Sequence, residues 1–298
     1  MKGVCILTEK KYLHPVNPDW YIKNILQEEQ LIQDSLQGLG IVSCREAWDV
    51  SFDVSKYKYL LFRTTWNYFD KIKDFKFFLT KNRSLINFIN PYSQIIWNLN
   101  KKYLLELSEK GINIPETTII TKSSFESLSS VSARKKWSEF IIKPCVSAAA
   151  WNTFRIKRKD TKKFEKKFIN LVNKNDMILQ LFQKNIILKG EISLMMIGGE
   201  YSHAVIKNVK RGDFRVQDDF GGKVSAYIPS VEEIGFAERV IMSCGFSPVY
   251  ARVDIIWDNN GVLALSELEL IEPEMWFRFY KPAANKLAEA ISLHIEKN

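Results

Sequence analysis

The sequence predicts a mixed fold in which an α/β region at the amino terminus is followed by α+β regions. The first ninety residues alternate short apolar stretches with helical patterns, which is typical of a parallel sheet with crossover helices. Later apolar strands follow one another closely, and an Asn-Gly turn joins two of them. With 298 residues the chain also exceeds the size of one hydrophobic core, so several domains are expected.

The amino-terminal region contains three predicted strands and a long helix. Strands are expected at 4–7, 41–42 and 59–62, and a helix over about 20–39. Ligands of parallel sheets gather where the strands end, at their carboxyl ends. Residues 63–67 follow the third strand directly, so we expect this segment to contact a ligand.

The middle region is predicted to be a small α+β subdomain. A helix over 101–110 ends at Gly111, because glycine readily adopts the backbone conformation that closes a helix. Short strands follow at 117–120, 139–143, 153–156 and 177–182, and a basic helix ends near residue 172.

The last region is rich in strands. Strands 191–197 and 201–207 are joined by a Gly-Gly turn, and the sequence at 257–261 predicts a second hairpin because Asn-Gly accepts positive φ. Helices over 231–243 and 284–295 are expected to cover the sheet. The predicted domains are therefore residues 1–92, 93–183 and 184–298.

Composition narrows the classes of function. The chain carries 43 basic and 34 acidic residues, a net charge of +9 that suits an anionic partner. The basic residues are not interleaved with aromatics, so no nucleic-acid partner is expected. No apolar run is long enough for a membrane span, and the start does not resemble a signal peptide, so we expect a cytoplasmic protein without a membrane partner. Four scattered cysteines and three histidines support neither a disulfide framework nor a zinc site.

Three acids near the carboxyl terminus form a candidate metal site. Glu267 and Glu269 lie two residues apart on a predicted strand, so their side chains share one face. Asp254 lies thirteen residues before Glu267 on a neighbouring apolar strand. Three carboxylates suit Mg²⁺ that carries nucleotide phosphates. An exposed strand edge that happens to be acidic explains this segment equally well.

A lysine and a small-residue loop form a candidate phosphate site. Lys143 ends a predicted strand, and the segment 145–151 that follows includes Ser147 and three alanines. Small residues let a backbone approach phosphates, and the lysine supplies a compact positive charge. Taken alone, Lys143 is also compatible with a surface position, and the loop contains no glycine.

The order of these motifs resembles the ATP-grasp superfamily over nearly the whole chain. Closer resemblance is to its glutathione-synthetase-like and RimK-like branch, particularly the group containing the D-cycloserine-forming ligase. The segments that carry it are 63–68, 97–105, 190–194, 203–207, 212–217 and 267–273. The resemblance implies an ATP-grasp fold, in which two α+β subdomains bind MgATP between them behind an amino-terminal parallel-sheet domain.

The resemblance also implies a set of site residues. The ATP phosphates would contact Lys101, Lys143 and Ser147. The adenine would meet a hinge formed by Gln180, Leu181 and Phe182, with Glu191 near the ribose or this hinge. Mg²⁺ would bind Asp254, Glu267 and Glu269, and Arg215 would meet the transferred phosphoryl group with the assistance of Arg252 and Lys207. Many relatives have Asn where this chain has Glu269, so metal affinity or number is expected to differ.

The activity implied by the resemblance is ATP-dependent ligation of a carboxylate to an amine through an acyl phosphate, with release of ADP and phosphate. We expect ATP and Mg²⁺ as cofactors, with Mn²⁺ open as an alternative, and small carboxylate and amine substrates such as an amino acid or short peptide. From its position, Arg63 is expected to anchor a substrate carboxylate, and 212–223 to form a closing flap. A small-molecule kinase, a catalytically inactive nucleotide-binding protein and a homodimer remain open.

Overall fold

The computed structural model describes residues 3–148, 150–210 and 222–297, and their strands form three sheets. The first sheet has four parallel strands. The second has four antiparallel strands and the third has five. The predicted combination of α/β and α+β regions is therefore confirmed.

The first sheet is formed by the amino-terminal region. Its elements are β1 (Val4–Thr8), α1 (Lys10–Leu13), α2 (Trp20–Gly38), β2 (Ser43–Ala47), β3 (Tyr59–Phe62), α3 (Ile72–Asn82) and β4 (Asn87–Ile89), with strand order β2-β1-β3-β4. The side chain of Asp19 accepts a hydrogen bond from Ile22 N at 2.8 Å and so caps α2. Ile25, Ile32 and Leu36 lie on the buried face of this helix together with Glu28 and Glu29.

The second predicted strand was placed two residues too early. Ile41 N donates to Leu36 O at 2.9 Å, so residue 41 closes the preceding helix, and Val42 is 60% exposed. Pairing with β1 begins instead at Ser43. Because β2 lies at the sheet edge and its side chains are mostly half-buried, it lacks the apolar run by which an inner strand is recognised.

The second sheet is formed by the middle region. Its elements are α4 (Tyr92–Asn98), α5 (Tyr103–Glu109), β5 (Thr117–Ile120), α6 (Leu128–Arg134), β6 (Glu139–Pro144), β7 (Phe154–Lys157), α7 (Thr161–Val172), β8 (Met177–Leu181) and α8 (Asn185–Lys189), with strand order β5-β8-β6-β7. Helix α5 begins two residues later than predicted. It ends near Gly111, whose φ is +89°.

The third sheet is formed by the last region. Its elements are β9 (Glu191–Ile197), β10 (Glu200–Asn208), β11 (Lys223–Tyr227), α9 (Val231–Ser243), β12 (Tyr250–Trp257), β13 (Leu263–Glu269) and α10 (Pro282–Lys297), with strand order β11-β10-β9-β12-β13. Gly198, Gly199 and Gly261 adopt positive φ in the two predicted hairpin turns. Most of the predicted flap 212–223 lies outside the described residues.

Buried clusters cross the predicted domain boundaries. Tyr103, Leu104 and Leu107 of α5 pack into the core of the third sheet, and α10 packs with α2 beside the first sheet. The Tyr250 hydroxyl lies 3.0 Å from Phe62 O and 2.8 Å from Ile271 O. These contacts hold the end of the first sheet against the acidic strands, while the boundaries at 92 and 183 stay predictions.

Two further features bear on the overall architecture. The Asn98 amide donates to Leu268 O at 2.8 Å and accepts from Leu270 N at 2.8 Å, so α4 is attached to β13. Within the described part of the chain, no helix has both the length and the apolar character needed to cross a membrane.

Candidate functional site

A cavity lies between the second and third sheets and receives most of the predicted site residues. Its described lining includes six carboxylates and four cationic side chains. The carboxylates are Glu191, Asp254, Glu267, Glu269, Glu272 and Glu274, and the cations are Lys101, Lys143, Lys207 and Arg252. The excess of acid is the electrostatic setting in which a divalent cation is stabilised.

Strands β12 and β13 bring the three predicted metal ligands together. Asp254 pairs directly with Glu267 across the antiparallel ladder, and Arg252 pairs with Glu269. Glu267 and Glu269 both line the cavity, whereas Leu268 between them is buried in the core. The alternation of side chains along the strand therefore places both carboxylates on the cavity face.

Each of these acids already has a cationic partner. Lys101 Nζ lies 2.9 Å from Glu267 Oε1, and Arg252 Nη2 lies 2.9 Å from Asp254 Oδ2 and also pairs with Glu269. Lys207 Nζ lies 3.3 Å from Asp254 Oδ2. As these side chains stand, no group of three or more metal-binding residues within the described ranges is arranged to hold an ion. A metal at this position requires carboxylate oxygens to exchange a lysine or arginine for the ion.

Burial and the neighbouring charges shift the pKa values of these acids in opposite directions. Burial opposes ionisation of Asp254, but Arg252 and Lys207 lower its pKa to about 2. For Glu269, burial dominates over the charge of Arg252, and nearby acids add to it, so the pKa rises to about 7. The cavity thus contains a firmly ionised acid beside one that is readily protonated, as expected where negative charges are close together.

Two lysines occupy different positions on the cavity wall. Lys101 precedes α5 and donates from Nζ to Ser147 O while pairing with Glu267. Lys143, at the end of β6, lies within ion-pair distance of no acid among the described residues. Burial and the charge of Lys101 lower the pKa of Lys143. Lys143 is therefore the lining cation best able to meet an anionic ligand without breaking an existing ion pair.

The predicted phosphate loop adopts a conformation that usually favours glycine. Ser147, Ala148 and Ala150 line the cavity, and Ala149 lies outside the described residues. Ala150 has φ of +53°, in the left-handed region that L-residues adopt at a cost. The absence of glycine therefore introduces local strain at the position where a backbone approach to phosphate was predicted.

The predicted adenine hinge lies along an apolar part of the wall. Gln180, Leu181 and Phe182 all line the cavity. The backbone N–H groups of Leu181 and Phe182 donate to Glu116 O at 2.9 Å and Glu139 O at 3.1 Å. A purine beside this hinge would contact apolar side chains, because these two N–H groups are already bonded. The apolar residues nearby were not predicted from the sequence, and they are Pro115, Ile141, Ile186 and Ile256.

Glu191 is also on the cavity wall. It pairs with Lys207 and accepts a hydrogen bond from Ser266 Oγ at 2.8 Å. These contacts attach the start of β9 to β10 and β13. Its predicted approach to a ribose or hinge stays a prediction.

One described residue of the predicted site, Arg63, is not placed at the cavity. Arg63 is 2% exposed, pairs with Glu28 at 2.5 Å and donates to Pro273 O at 2.7 Å, and it does not line the cavity. The end of β3 is covered by the segment after β13, so the guanidinium is buried between them and its expected role as a substrate anchor is not supported. Arg215 lies outside the described residues.

Several lining residues were not predicted. Glu272 and Glu274 flank Pro273 just beyond the metal motif, and Tyr21 adds aromatic surface. Trp66 and Trp276 also line the cavity, and Trp66 belongs to the segment 63–67 that was expected to contact a ligand. Glu272 belongs to the motif that carries the family resemblance, so that motif was a usable signal. The position of Tyr21 on α2 offers no such signal, because only the packing of the first sheet brings this helix to the cavity.

Sequence comparisons identify proteins of similar sequence. Residues 4–90 match a family described as the N-terminal domain of the D-cycloserine synthetase DcsG. The cycloserine biosynthesis protein DcsG of Streptomyces lavendulae is 26% identical over 264 residues, covering 82% of this chain and 85% of that protein.

Solved structures with the same architecture cover nearly the whole chain. The crystal structure of D-cycloserine synthetase DcsG has a TM-score of 0.86 at 23% identity and covers 98% of this chain and 100% of its own. D-alanine–D-alanine ligase from Bacillus anthracis gives 0.71, and its complex with ATP gives 0.66, both at 13% identity over 100% of this chain and 99% of theirs. The ATP-grasp ligase PsnB with a precursor variant, Mg and ADP gives 0.63 at 12% identity over 98% of both chains. Identities this low show the fold, and they confirm the predicted fold class.

Proposed function

We propose that this chain, which has the ATP-grasp fold, is an ATP-dependent ligase that joins the carboxylate of a small molecule to an amine. The observation that carries the proposal is the cavity in which Lys101 and Lys143 face the acids of β12 and β13. Cations that can receive phosphate and oxygens that can receive a metal thus line the same cavity. Phosphoryl transfer depends mainly on such positioning and charge neutralisation.

Mg²⁺ is the metal that fits this donor set. Asp254, Glu267 and Glu269 offer oxygen ligands, and the excess of carboxylates over cations in the cavity favours a divalent ion. Bound there, the ion would neutralise phosphate charge as transfer proceeds. Solved structures of similar fold contain ATP in one case and Mg with ADP in another, which supports ATP and Mg²⁺ as the cofactors proposed here. Mn²⁺ remains an untested alternative.

The residues of this chain would act by binding and orientation. Lys143 is positioned to bind phosphate oxygens, while Lys101 can move from Glu267 to phosphate when a metal takes its place. The substrate carboxylate oxygen attacks the γ-phosphorus, and ADP leaves. The amine nitrogen then attacks the acyl carbon, phosphate leaves, and the nitrogen loses one proton. No nucleophilic side chain is required in this sequence of bond changes.

The substrates are proposed to be amino acids or similarly small molecules. The relatives support this class through their names, cycloserine biosynthesis protein and D-alanine–D-alanine ligase. The apolar hinge wall suits a purine, which leaves the region around Trp66, Glu272 and Trp276 for the substrates. A homodimer stays a prediction.

The proposal is tested by ADP release with ATP, Mg²⁺ and a panel of D- and L-amino acids offered singly and in pairs. Lys143→Met should lower kcat/KM for ATP at least about tenfold, the effect of losing one charged contact. Lys102→Met is the matched control, because Lys102 pairs with Asp176 at 2.5 Å and does not line the cavity.

The product distinguishes the alternative functions. A peptide or amide that forms together with ADP supports ligation. A stable phosphorylated product without any requirement for an amine would favour a kinase. Tight MgATP binding with no turnover on the whole panel would instead favour a nucleotide-binding protein and contradict the ligase proposal.

A further inference from the structure

Among the residues that the structure describes, one carboxylate of the cavity lining has no cationic partner. Five of the six lining acids are paired with a described cation: Glu191 with Lys207, Asp254 with Arg252 and Lys207, Glu267 with Lys101, Glu269 with Arg252, and Glu274 with Arg278. The sixth, Glu272, has no Lys, Arg or His partner within the described ranges, although it is only 5% exposed. A buried carboxylate is costly unless it is paired or protonated.

The surroundings of Glu272 are aromatic. Its carboxyl group is hydrogen-bonded to the Tyr68 hydroxyl, and its backbone carbonyl accepts from Trp66 Nε1 at 2.8 Å. The rings of Trp66 and Tyr21 lie 6.2 Å apart, and both line the cavity. A carboxylate beside aromatic side chains is suited to an ammonium group, since its oxygens accept the hydrogen bonds of the ammonium and aromatic rings attract a cation that lies over their faces.

We propose that Glu272 binds the amino group of the amine substrate as the ammonium ion, which passes one proton to the Glu272 carboxylate before the neutral nitrogen attacks the acyl carbon. This inference rests on the proposed ligase function and specifies which wall of the cavity receives the second substrate. The ligand class is a primary amine whose carbon skeleton is small enough to lie against Trp66 and Tyr21. Glu272 lies three residues after Glu269, so the amine would be held close to the proposed metal and phosphate site.

The raised pKa of Glu272 is consistent with a carboxyl group that lacks a nearby compensating cation among the described residues. Burial raises the pKa of Glu272 to about 8, and the negative charge of Glu269 contributes to the shift. The Tyr68 hydroxyl and Lys101 oppose the shift without reversing it. A bound ammonium ion would supply the charge that the described residues do not provide.

The test is steady-state kinetics of Glu272→Gln with whichever amine of the amino-acid panel supports turnover. KM for the amine should rise at least about tenfold, the usual effect of removing a charge-assisted hydrogen bond, while KM for ATP stays within about twofold. Glu272→Asp keeps the charge and should restore part of the affinity. Glu274→Gln is the matched control on the same wall, because Glu274 is already paired with Arg278.

A second readout separates amine binding from activation of the carboxylate. Hydroxylamine is largely uncharged at neutral pH and traps an acyl phosphate by attacking its carbonyl carbon, which forms a hydroxamate and releases phosphate. Glu272→Gln should therefore form hydroxamate from ATP and the same carboxylate at nearly the wild-type rate.

Three outcomes would overturn the inference. They are an unchanged KM for the amine in Glu272→Gln, an equal loss of hydroxamate formation, or a raised Mg²⁺ requirement, which would make Glu272 a metal or structural residue. Failure of the wild-type protein to release ADP with the whole panel would contradict the proposed function itself, so the two failures are distinguishable.

Discussion

Replacing Ala150 by glycine should stabilise the protein, because the backbone there already has the conformation that glycine prefers. Ala150 has φ of +53°. An L-residue in this region costs roughly 1–2 kcal/mol, whereas glycine avoids the clash but gains roughly 0.5–1 kcal/mol of freedom in the unfolded chain. The midpoints of these two ranges predict that Ala150→Gly raises the free energy of unfolding by about 0.75 kcal/mol.

Asn152 provides a control two residues away. Its φ is +50°, but asparagine tolerates the left-handed region better than alanine does. Asn152→Gly should therefore leave stability unchanged or lower it slightly. Urea unfolding at constant m-value measures both variants. The reasoning is refuted if Ala150→Gly is no more stable than the wild type, or if both glycine variants gain equally.

Three further predictions follow from buried groups. Tyr250→Phe should lower the free energy of unfolding by about 1–2 kcal/mol in urea titrations, because a buried carbonyl loses its donor; an unchanged midpoint would contradict this. For Glu272, the raised pKa means that the folded protein keeps a proton that the unfolded chain releases, so stability from this group falls as pH rises from 4.5 to about 8. Thermal scans across that range should show Glu272→Gln declining less than wild type, and parallel curves would refute the assignment. Native maleimide labelling should give one adduct by mass spectrometry, at exposed Cys44, because the other thiols are buried and burial raises the pKa of Cys145 to about 12; rapid labelling of Cys145 would disprove this.

Much of the fold could be predicted from the sequence because turns and strand alternation depend only on residues that are neighbours in the chain. The Asn-Gly pair at Asn260 and Gly261 needs only its own backbone freedom to form the β12–β13 turn, and alternation alone placed Glu267 and Glu269 on one face. Strand β2 was misplaced because edge strands need no apolar run. The three-residue strand β4 was not predicted, since pairing with β3 rather than its own sequence defines it.

The candidate site shows the same limit. Lys101, Lys143 and the acids belong to motifs, so the order of residues along the chain is enough to indicate them. The burial of Arg63 depends on contacts with Glu28 and Pro273, which are 35 and 210 residues away in the chain. Two of the ion pairs that occupy the proposed metal ligands also join residues far apart in the chain, since Lys101 and Glu267 are 166 positions apart and Lys207 and Asp254 are 47 positions apart. Such tertiary pairings decide which charged groups remain available to a ligand, and the periodicity of the sequence does not predict them.

The acids of β12 and β13 are proposed to support metal-dependent binding of ATP. Calorimetric titration with a non-hydrolysable ATP analogue, with and without Mg²⁺, tests it on the wild type and on Glu267→Gln. We predict that Mg²⁺ increases the affinity of the wild type for the analogue. In the variant, the factor by which Mg²⁺ increases the affinity should be at least about tenfold smaller. Absence of binding in every condition, or an equal Mg²⁺ effect in both proteins, would contradict the proposed site.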